Sequence, residues 1–328
     1  MYEAKYHNED LSGLSVLVTG GAGFIGSNIV EYLIKYGIGK VRILDNLSTG
    51  YLANIEKYLS LPNVEFIQGD IRDLKICEQA CEGIDFVLHQ AALGSVPRSI
   101  LDPITSNDVN ITGFLNMLMA VKNSSSVKRM VYAASSSTYG DSKELPKVEE
   151  RIGRPLSPYA VTKYVNELYA DVFSKTYGME IIGLRYFNVF GPRQNVKGPY
   201  AAVIPLFIES ALKNNAPTIN GDGETSRDFT FIENAVQANI KAMLAPKIEK
   251  HEVCNIAFGE RTTLNMLWEY ITNVAQIEIK PNYQHERVGD IKHSLANIGK
   301  ANELIGYKPL FSVFDGIKIT YDWYRSNQ

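Results

Sequence analysis

The chain predicts a doubly wound α/β fold, a parallel sheet covered by helices on both faces. Short apolar runs alternate with longer segments of helical period from Ser15 to about Phe187. Strands separated by whole helices cannot be joined by hairpins, so they run parallel through crossovers. The first apolar run also leads straight into a glycine-spaced turn and a helix, as the first unit of such a sheet requires.

Six runs read as strands: Val16-Leu17-Val18, Val41-Arg42-Ile43-Leu44, Val64-Glu65-Phe66-Ile67, Phe86-Val87-Leu88, Met130-Val131-Tyr132 and Ile181-Ile182-Gly183-Leu184. Between the first two, Ile25, Ile29, Leu33 and Tyr36 recur at helical spacing and stop at Gly37. Ser157-Pro158 sets an N-cap before a proline at the first helical position, and Gly178 closes that helix. After Tyr186 the pattern loosens. Pro192, Pro199, Pro205 and Pro217 divide the chain into short pieces, and the turn-rich Asn220-Gly221-Asp222-Gly223 follows. Helical period returns at Ile232–Leu244, Leu264–Val274 and Val313–Tyr324. The expected division is a first domain over 1–185 and a smaller mixed α/β lobe over 186–328, some segments of which return to the first domain.

Composition narrows the function. The 328 residues, 45% hydrophobic and 21% charged, allow two domains at ~150 residues each. Lys and Arg number 33 against 36 Asp and Glu, a net charge of −3, which gives no basic footprint for nucleic acid or an anionic membrane. No apolar stretch approaches the ~18–20 residues of a membrane span. Met1 to Gly13 is charged and lacks the apolar core of a secretory signal. Cys77, Cys81 and Cys254 form neither an even disulfide set nor a Cys-x-x-Cys pair, which points to a reducing cytoplasm. Cys77 and Cys81 share a helix face, but two ligands do not make a zinc site, and no metal is expected.

The first strand runs into Thr19-Gly20-Gly21-Ala22-Gly23-Phe24-Ile25-Gly26. Glycines at 20, 23 and 26 let the backbone approach a pyrophosphate, while the helix start supplies free N–H donors and a partial positive charge. A glycine trio alone is equally a turn; the flanking strand and helix favour a dinucleotide site. The second strand ends at Asp45, nineteen positions after Gly26, where a carboxylate can accept both hydroxyls of an adenosine ribose. Asn46 rather than an arginine follows, which favours NAD over NADP. Two further strands end in Gly69-Asp70-Ile71-Arg72-Asp73 and His89-Gln90-Ala91-Ala92, at carboxyl edges where ligands bind. His89 is open between a ligand and a satisfied histidine beside the sheet.

Tyr159 and Lys163 are four apart on one helix and so share a face. A phenol with a pKa of about 10 is rarely ionised at neutral pH, and a nearby ammonium favours the phenolate, which makes Tyr159 a candidate general base. Tyr-x-x-x-Lys also occurs on ordinary helices; the upstream dinucleotide motif gives it weight. The fifth strand ends in Ala133-Ala134-Ser135-Ser136-Ser137-Thr138-Tyr139-Gly140, hydroxyls that can hold a reacting alcohol or simply form a Ser/Thr turn.

The glycine motif, the serine run at 135–137, Tyr159-x-x-x-Lys163 and Arg185-Tyr186-Phe187-Asn188-Val189-Phe190-Gly191-Pro192 together resemble the extended short-chain dehydrogenase/reductases, over essentially the whole chain. Within them the sequence is similar to the UDP-sugar 4-epimerases. It is most like the bacterial UDP-N-acetylglucosamine 4-epimerases of polysaccharide pathways, which share Ala-Ala-Ser-Ser-Ser-Thr-Tyr-Gly and Pro-Leu-Ser-Pro-Tyr-Ala-Val-Thr-Lys.

The resemblance implies a Rossmann domain holding NAD tightly through Gly20, Gly23, Phe24, Ile25, Gly26, Asp45, Asn46, Ser48, Gly50, Asp70, Ile71, Gln90, Ala91, Ala92, Tyr159, Lys163 and Tyr186. It implies that Tyr159 takes the proton of the sugar 4-hydroxyl while C4 passes hydride to NAD. The 4-keto sugar turns, and hydride returns to its other face. Lys163 would hold the nicotinamide ribose, and Ser135 and Ser136 the 4-oxygen. Asn188, Arg227 and Arg287 would sit on the diphosphate, Asp290 on the ribose, Asn220 near the uracil and Ala202-Val203 along the pocket. Guanidinium forks suit a dianionic bridge, although on the sequence alone each arginine is equally a surface charge. Small Ser294, with Gly94, Ser95 and Ala202, leaves room for an N-acetyl group at C2; a tyrosine at 294 would close it. UDP-glucose/UDP-galactose, UDP-glucuronate and the N-acetylated uronic acids stay open as alternative substrates. The absence of Asp or Glu in Ser135–Thr138 argues against a 4,6-dehydratase, and the presence of both Tyr159 and Lys163 against a non-catalytic NAD-binding regulator. A homodimer through the helices at 103–122 and 158–177 is also implied.

Overall fold

The computed structural model describes residues 1–196, 202–286 and 292–327. In chain order, β1 (Ser15–Thr19), α1 (Phe24–Lys35), β2 (Lys40–Asp45), β3 (Val64–Gln68), α2 (Leu74–Cys81) and β4 (Phe86–His89) come first. There follow α3 (Val96–Leu101), α4 (Pro103–Asn107), a π-helical turn over Asp108–Thr112, α5 (Gly113–Asn123), β5 (Arg129–Ser135), α6 (Pro158–Tyr177) and β6 (Ile181–Tyr186). The second half holds β7 (Val189–Phe190), α7 (Val203–Leu212), β8 (Thr218–Asn220), β9 (Ser226–Arg227), β10 (Thr230–Phe231) and α8 (Ile232–Leu244). After these come β11 (Glu252–Ile256), β12 (Thr262–Thr263), α9 (Leu264–Ala275), β13 (Asn282–Gln284), α10 (Gly299–Ile305) and α11 (Val313–Ser326).

Seven of these strands form one sheet in the order β11-β6-β5-β4-β1-β2-β3, with every pair parallel. Successive side chains leave a strand on opposite faces, so each buried strand feeds two cores. Val16 and Val18 point into one, with Ile29 and Leu33 of α1 and Ala235 and Val236 of α8. Leu17 points into the other, with Cys77 and Cys81 of α2, Phe114 and Met117 of α5 and Phe173 of α6. The fold is the Rossmann-type α/β sheet that the alternating pattern predicted, and all six predicted strands are in it.

Two elements were not read as such from the sequence, although some return of the second half to the first domain was expected. β11 lies far along the chain yet completes the sheet beside β6, Cys254 level with Leu184. α7 runs through Pro205, where a break was expected. Pro205 sits in the first turn, where N–H groups have no helical partner and a missing one costs little. The helix predicted after Ser157 is present: the Ser157 hydroxyl accepts from Ala160 N, and Gly178 ends it in the left-handed region. No helix among the described residues is long and apolar enough to cross a membrane.

Candidate active site

Strand order alone positions the site. The chain order reverses between β1 and β4, which opens a crevice above their carboxyl ends. β5 lies between β4 and β6, so the serine run at its end falls between whatever binds after β4 and whatever binds after β6.

The first of these places is a cavity of about 300 Å³ lined by Gly20, Gly23, Phe24, Ile25, Gly26, Asp45, Asn46, Ser48, Ile71, Gln90, Ala91 and Ala92, all predicted from the sequence. Gly94, predicted for substrate, also lines it. Leu44, Thr49, Gly69, Leu93 and Val109 were not predicted. The turn is closed by necessity: a Cβ on Gly26 would sit 2.2 Å from the Gly20 carbonyl oxygen, and one on Gly20, at φ +65, 2.7 Å from Ala91 N. Asp45 is buried, its Oδ2 accepting from Ala22 N at 3.0 Å and its Oδ1 from Leu47 N at 2.8 Å. Burial raises this carboxyl's pKa and the N–H donors oppose that shift. The carboxylate therefore locks the glycine turn to β2, with lone pairs left for a diol. A Cβ on Gly50 would come 3.0 Å from Asp45 Oδ2, so this glycine lets the loop close over the carboxylate. Asp70 is engaged by Arg72 and Asn46, and the Arg72 guanidinium holds its pKa at about 2. The glycine cradle, the buried carboxylate and the cavity fit a dinucleotide.

Gln90 and Tyr186 belong to a buried ring of hydrogen bonds that the sequence did not suggest. Gln90 Nε2 donates to Asn239 Oδ1 at 3.0 Å, Asn239 Nδ2 donates to Tyr186 Oη at 2.7 Å, and Tyr186 Oη donates to Gln90 Oε1 at 3.1 Å. His89 proves to be a satisfied core residue. It shares a 2.8 Å hydrogen bond with Thr19, and burial, with Lys163 nearby, pushes its pKa down to about 3.

Above β5, Tyr159 is half-buried with its phenol beside the Ser135 hydroxyl. Ser135 Oγ accepts from Ser137 Oγ at 2.9 Å, while Ser136 is partly exposed. Burial raises the Tyr159 pKa and the Ser135 hydroxyl lowers it. The sequence reading gave that lowering to Lys163. Here Lys163 is buried, its Nζ donates to the Ala133 carbonyl at 2.8 Å, and burial pulls its pKa down to about 8 against the opposing charge of Glu167. Glu167 continues the 159/163 face by one more turn and makes a two-pronged buried ion pair with Arg185, at 2.8 and 2.7 Å. That spacing could have revealed it. Asn110, in the π-helical turn, was also missed. Its Oδ1 accepts from Leu93 N at 2.8 Å, its Nδ2 donates to Thr162 Oγ1 at 3.1 Å, and its carbonyl accepts from Asn166. A π-turn re-aims backbone groups and often marks a functional position.

Beyond β6 lies the larger cavity, about 620 Å³. Asn188, Ala202, Val203, Asn220 and Arg227 line it as predicted, joined by Phe207, Thr218, Phe229 and Leu264, which were not. Asn188 has φ 39 and donates from Nδ2 to the Asp228 carbonyl at 2.9 Å. Ser95, at φ 113, caps α3 through Arg98 N. Strained backbone at two predicted substrate residues is what functional sites tend to store. Ser294 is partly buried, its N–H donating to the Ser226 carbonyl at 3.1 Å. Arg287 and Asp290 lie outside the described residues.

Comparison with known proteins gives the family. The profile of the NAD dependent epimerase/dehydratase family matches residues 16–257, and the chain belongs to that family; its cofactor is NAD. A UDP-N-acetylglucosamine 4-epimerase from Methanobrevibacter ruminantium M1, solved with UDP-N-acetylmuramic acid, is 41% identical with a TM-score of 0.90, over 96% of this chain and 99% of that one. A UDP-glucose 4-epimerase from Thermotoga maritima, solved with UDP-glucose, is 34% identical with a TM-score of 0.88, over 96% and 99%. A UDP-glucuronic acid 4-epimerase from Bacillus cereus, solved with UDP-glucuronic acid and NAD, is 30% identical with a TM-score of 0.87, over 96% and 100%.

Proposed function

We propose that this enzyme, an NAD-dependent UDP-sugar 4-epimerase by its family and relatives, interconverts UDP-N-acetylhexosamines, UDP-GlcNAc and UDP-GalNAc. The observation that carries the reading is the Ser135–Tyr159–Lys163 group at the end of β5, between a dinucleotide cradle and a separate cavity that presents Asn188 and Arg227.

Gly20 to Gly26, Asp45, Asn46, Ser48 and Gln90 to Ala92 hold the cofactor. Bound NAD supplies the hydride acceptor, and later the donor, for the sugar C4. Tyr159 accepts the proton of the 4-hydroxyl and returns it once the 4-keto sugar has presented its other face. Ser135 orients both the phenol and the 4-oxygen, and Ser136 adds a second hydroxyl. Lys163, held by the Ala133 carbonyl, keeps a positive charge near neutral pH and supports the developing phenolate. Asn188 and Arg227 carry the diphosphate, and Ala202, Val203 and Asn220 the nucleoside.

The N-acetyl preference rests on small side chains where the sugar C2 group would lie, Ser294 with Gly94 and Ser95, and on the 41% identity to an enzyme described as acting on UDP-N-acetylglucosamine. A homodimer fits the exposed apolar residues of α3, α4 and α6: Leu101 and Ile104 are 74% and 80% exposed, and Val161, Leu168 and Val172 continue the patch. The reading is tested by a panel of UDP-GlcNAc, UDP-GlcNAc uronic acid, UDP-glucose and UDP-glucuronate with no NAD added, with products separated by chromatography. UDP-GlcNAc should show the highest kcat/KM without added cofactor. A clear preference for UDP-glucose or UDP-glucuronate would overturn it.

A further inference from the structure

The substrate-side cavity is assembled from chain segments that meet at one fully buried carboxylate. Asp228 follows Arg227 directly, and its side chain faces away from solvent altogether. Its Oδ1 accepts from Phe258 N at 3.1 Å and from Gly259 N at 3.2 Å, and its Oδ2 from Gly259 N at 3.2 Å and from Ala296 N at 3.1 Å. Its own carbonyl accepts the Asn188 amide at 2.9 Å and so helps hold that residue in its left-handed conformation. One residue thus ties together the turn after β6, the β9 strand, the turn after β11 and the segment carrying Ser294. The backbone adds further ties: Ser294 N donates to Ser226 O, and Ser226 N to Lys292 O.

We infer that Asp228 is a positioning residue for the UDP-sugar: by gathering these segments it sets Arg227, Asn188 and Ser294 in register, and loosening it weakens substrate binding while the chemistry at Tyr159 continues. This rests on the function proposed above. A buried carboxylate held by four N–H contacts, with no cation hydrogen-bonded to it among the described residues, is worth keeping only if its ionised form matters to the arrangement, since burying a charge is costly.

Arg227 stands beside it in the chain, Glu260 on the neighbouring turn and the buried phenol of Tyr307 act on it electrostatically, and His293 hydrogen-bonds Ser226, two residues before it. Burial, with a smaller contribution from Glu260, pushes its pKa up to about 7, although the three N–H donors pull the other way. Protonation turns one acceptor oxygen into a donor facing N–H groups. The sign for stability is the reverse of the usual carboxylate case. Its folded pKa lies above the unfolded value, so this group's contribution to stability grows as pH falls through 7 and shrinks as pH rises. Affinity lost at low pH is therefore not a loss of fold stability caused by this group.

The experiment measures binding of the UDP-GlcNAc/UDP-GalNAc mixture at its epimerisation equilibrium, whose diesterified diphosphate does not titrate in this range, to the NAD-loaded enzyme by calorimetry at several pH values from 8 to 6, in the wild type, Asp228→Asn and a His293→Gln control. In the wild type, Kd should rise about tenfold across that range, the scale of losing one charge-assisted contact network. Asp228→Asn should bind weakly at pH 8, near the wild-type value at pH 6, and show little pH dependence. Its KM for the UDP-sugar should rise about tenfold with kcat changed less than about twofold. His293→Gln should keep the wild-type pH response. Wild-type affinity in Asp228→Asn, an unchanged pH slope in that variant, or a slope abolished by His293→Gln overturns the inference. If Asp228→Asn does not fold, the wild-type and His293→Gln series still decide, because a flat wild-type Kd overturns the inference. Failure of the wild type to bind this UDP-sugar mixture at pH 8 would instead overturn the UDP-sugar reading beneath it.

Discussion

In the cofactor cradle, seven consecutive residues from Gly20 to Gly26 make a turn that one buried carboxylate from the next strand locks in place. In the substrate cavity, the lining comes from separate stretches between Asn188 and Leu264, and the register is set by hydrogen bonds between them. The first is a local device, and backbone sterics dictate it. The second exists only after long-range assembly, so it can change with little effect on the sheet. The chemistry we propose sits at their junction, at the end of β5 and the first turns of α6.

Mutations sharpen this contrast. The largest effect belongs to the junction: Tyr159→Phe should lower kcat by about 10²–10⁴-fold while UDP and NAD still bind, as measured by turnover and calorimetry. Turnover near the wild-type level would remove the phenol from the mechanism. In the cradle, Gly26→Ala should cost most of the bound NAD, because its Cβ would lie 2.2 Å from the Gly20 carbonyl and backbone must move. Absorbance of the purified protein reads this, and full NAD occupancy would contradict the account. On the substrate side the effects should be selective. Ser294→Tyr should reduce kcat/KM for UDP-GlcNAc relative to UDP-glucose by roughly tenfold to a hundredfold, with NAD content unchanged. The smallest effect expected is on the alkaline side. Lys163, with its pKa pulled down to about 8 by burial, loses its proton as pH rises past that value, so kcat should decline there by a few fold. Lys163→Met should have a lower kcat throughout and lack that decline.

How far the sequence spoke follows the same division. The glycine turn, Asp45, the Ser157 cap and the Tyr159/Lys163 face each depend on neighbours within one or two elements, and all were legible. β11 was not, because Glu252–Ile256 is short and follows a stretch without clear period; only pairing with β6 identifies it as part of the sheet. α7 was hidden by Pro205, whose position in the first turn is harmless but invisible without knowing where the helix starts. The Gln90–Tyr186–Asn239 ring and the Asp228 hub join residues up to 149 positions apart, and no local pattern signals them. Of the residues proposed for substrate, Asn188, Ala202, Val203, Asn220 and Arg227 were reached through family resemblance rather than spacing. Phe207, Thr218 and Leu264, which stand beside them, carry no motif at all.

The central claim is that C4 of the sugar is oxidised and reduced inside one closed site, with Tyr159 moving only the hydroxyl proton. UDP-GlcNAc labelled with deuterium at C4, incubated with the enzyme in ordinary water without added NAD, tests it by NMR or mass spectrometry of the UDP-GalNAc formed. The account predicts that the deuterium is retained at C4. Its replacement by solvent hydrogen would contradict it.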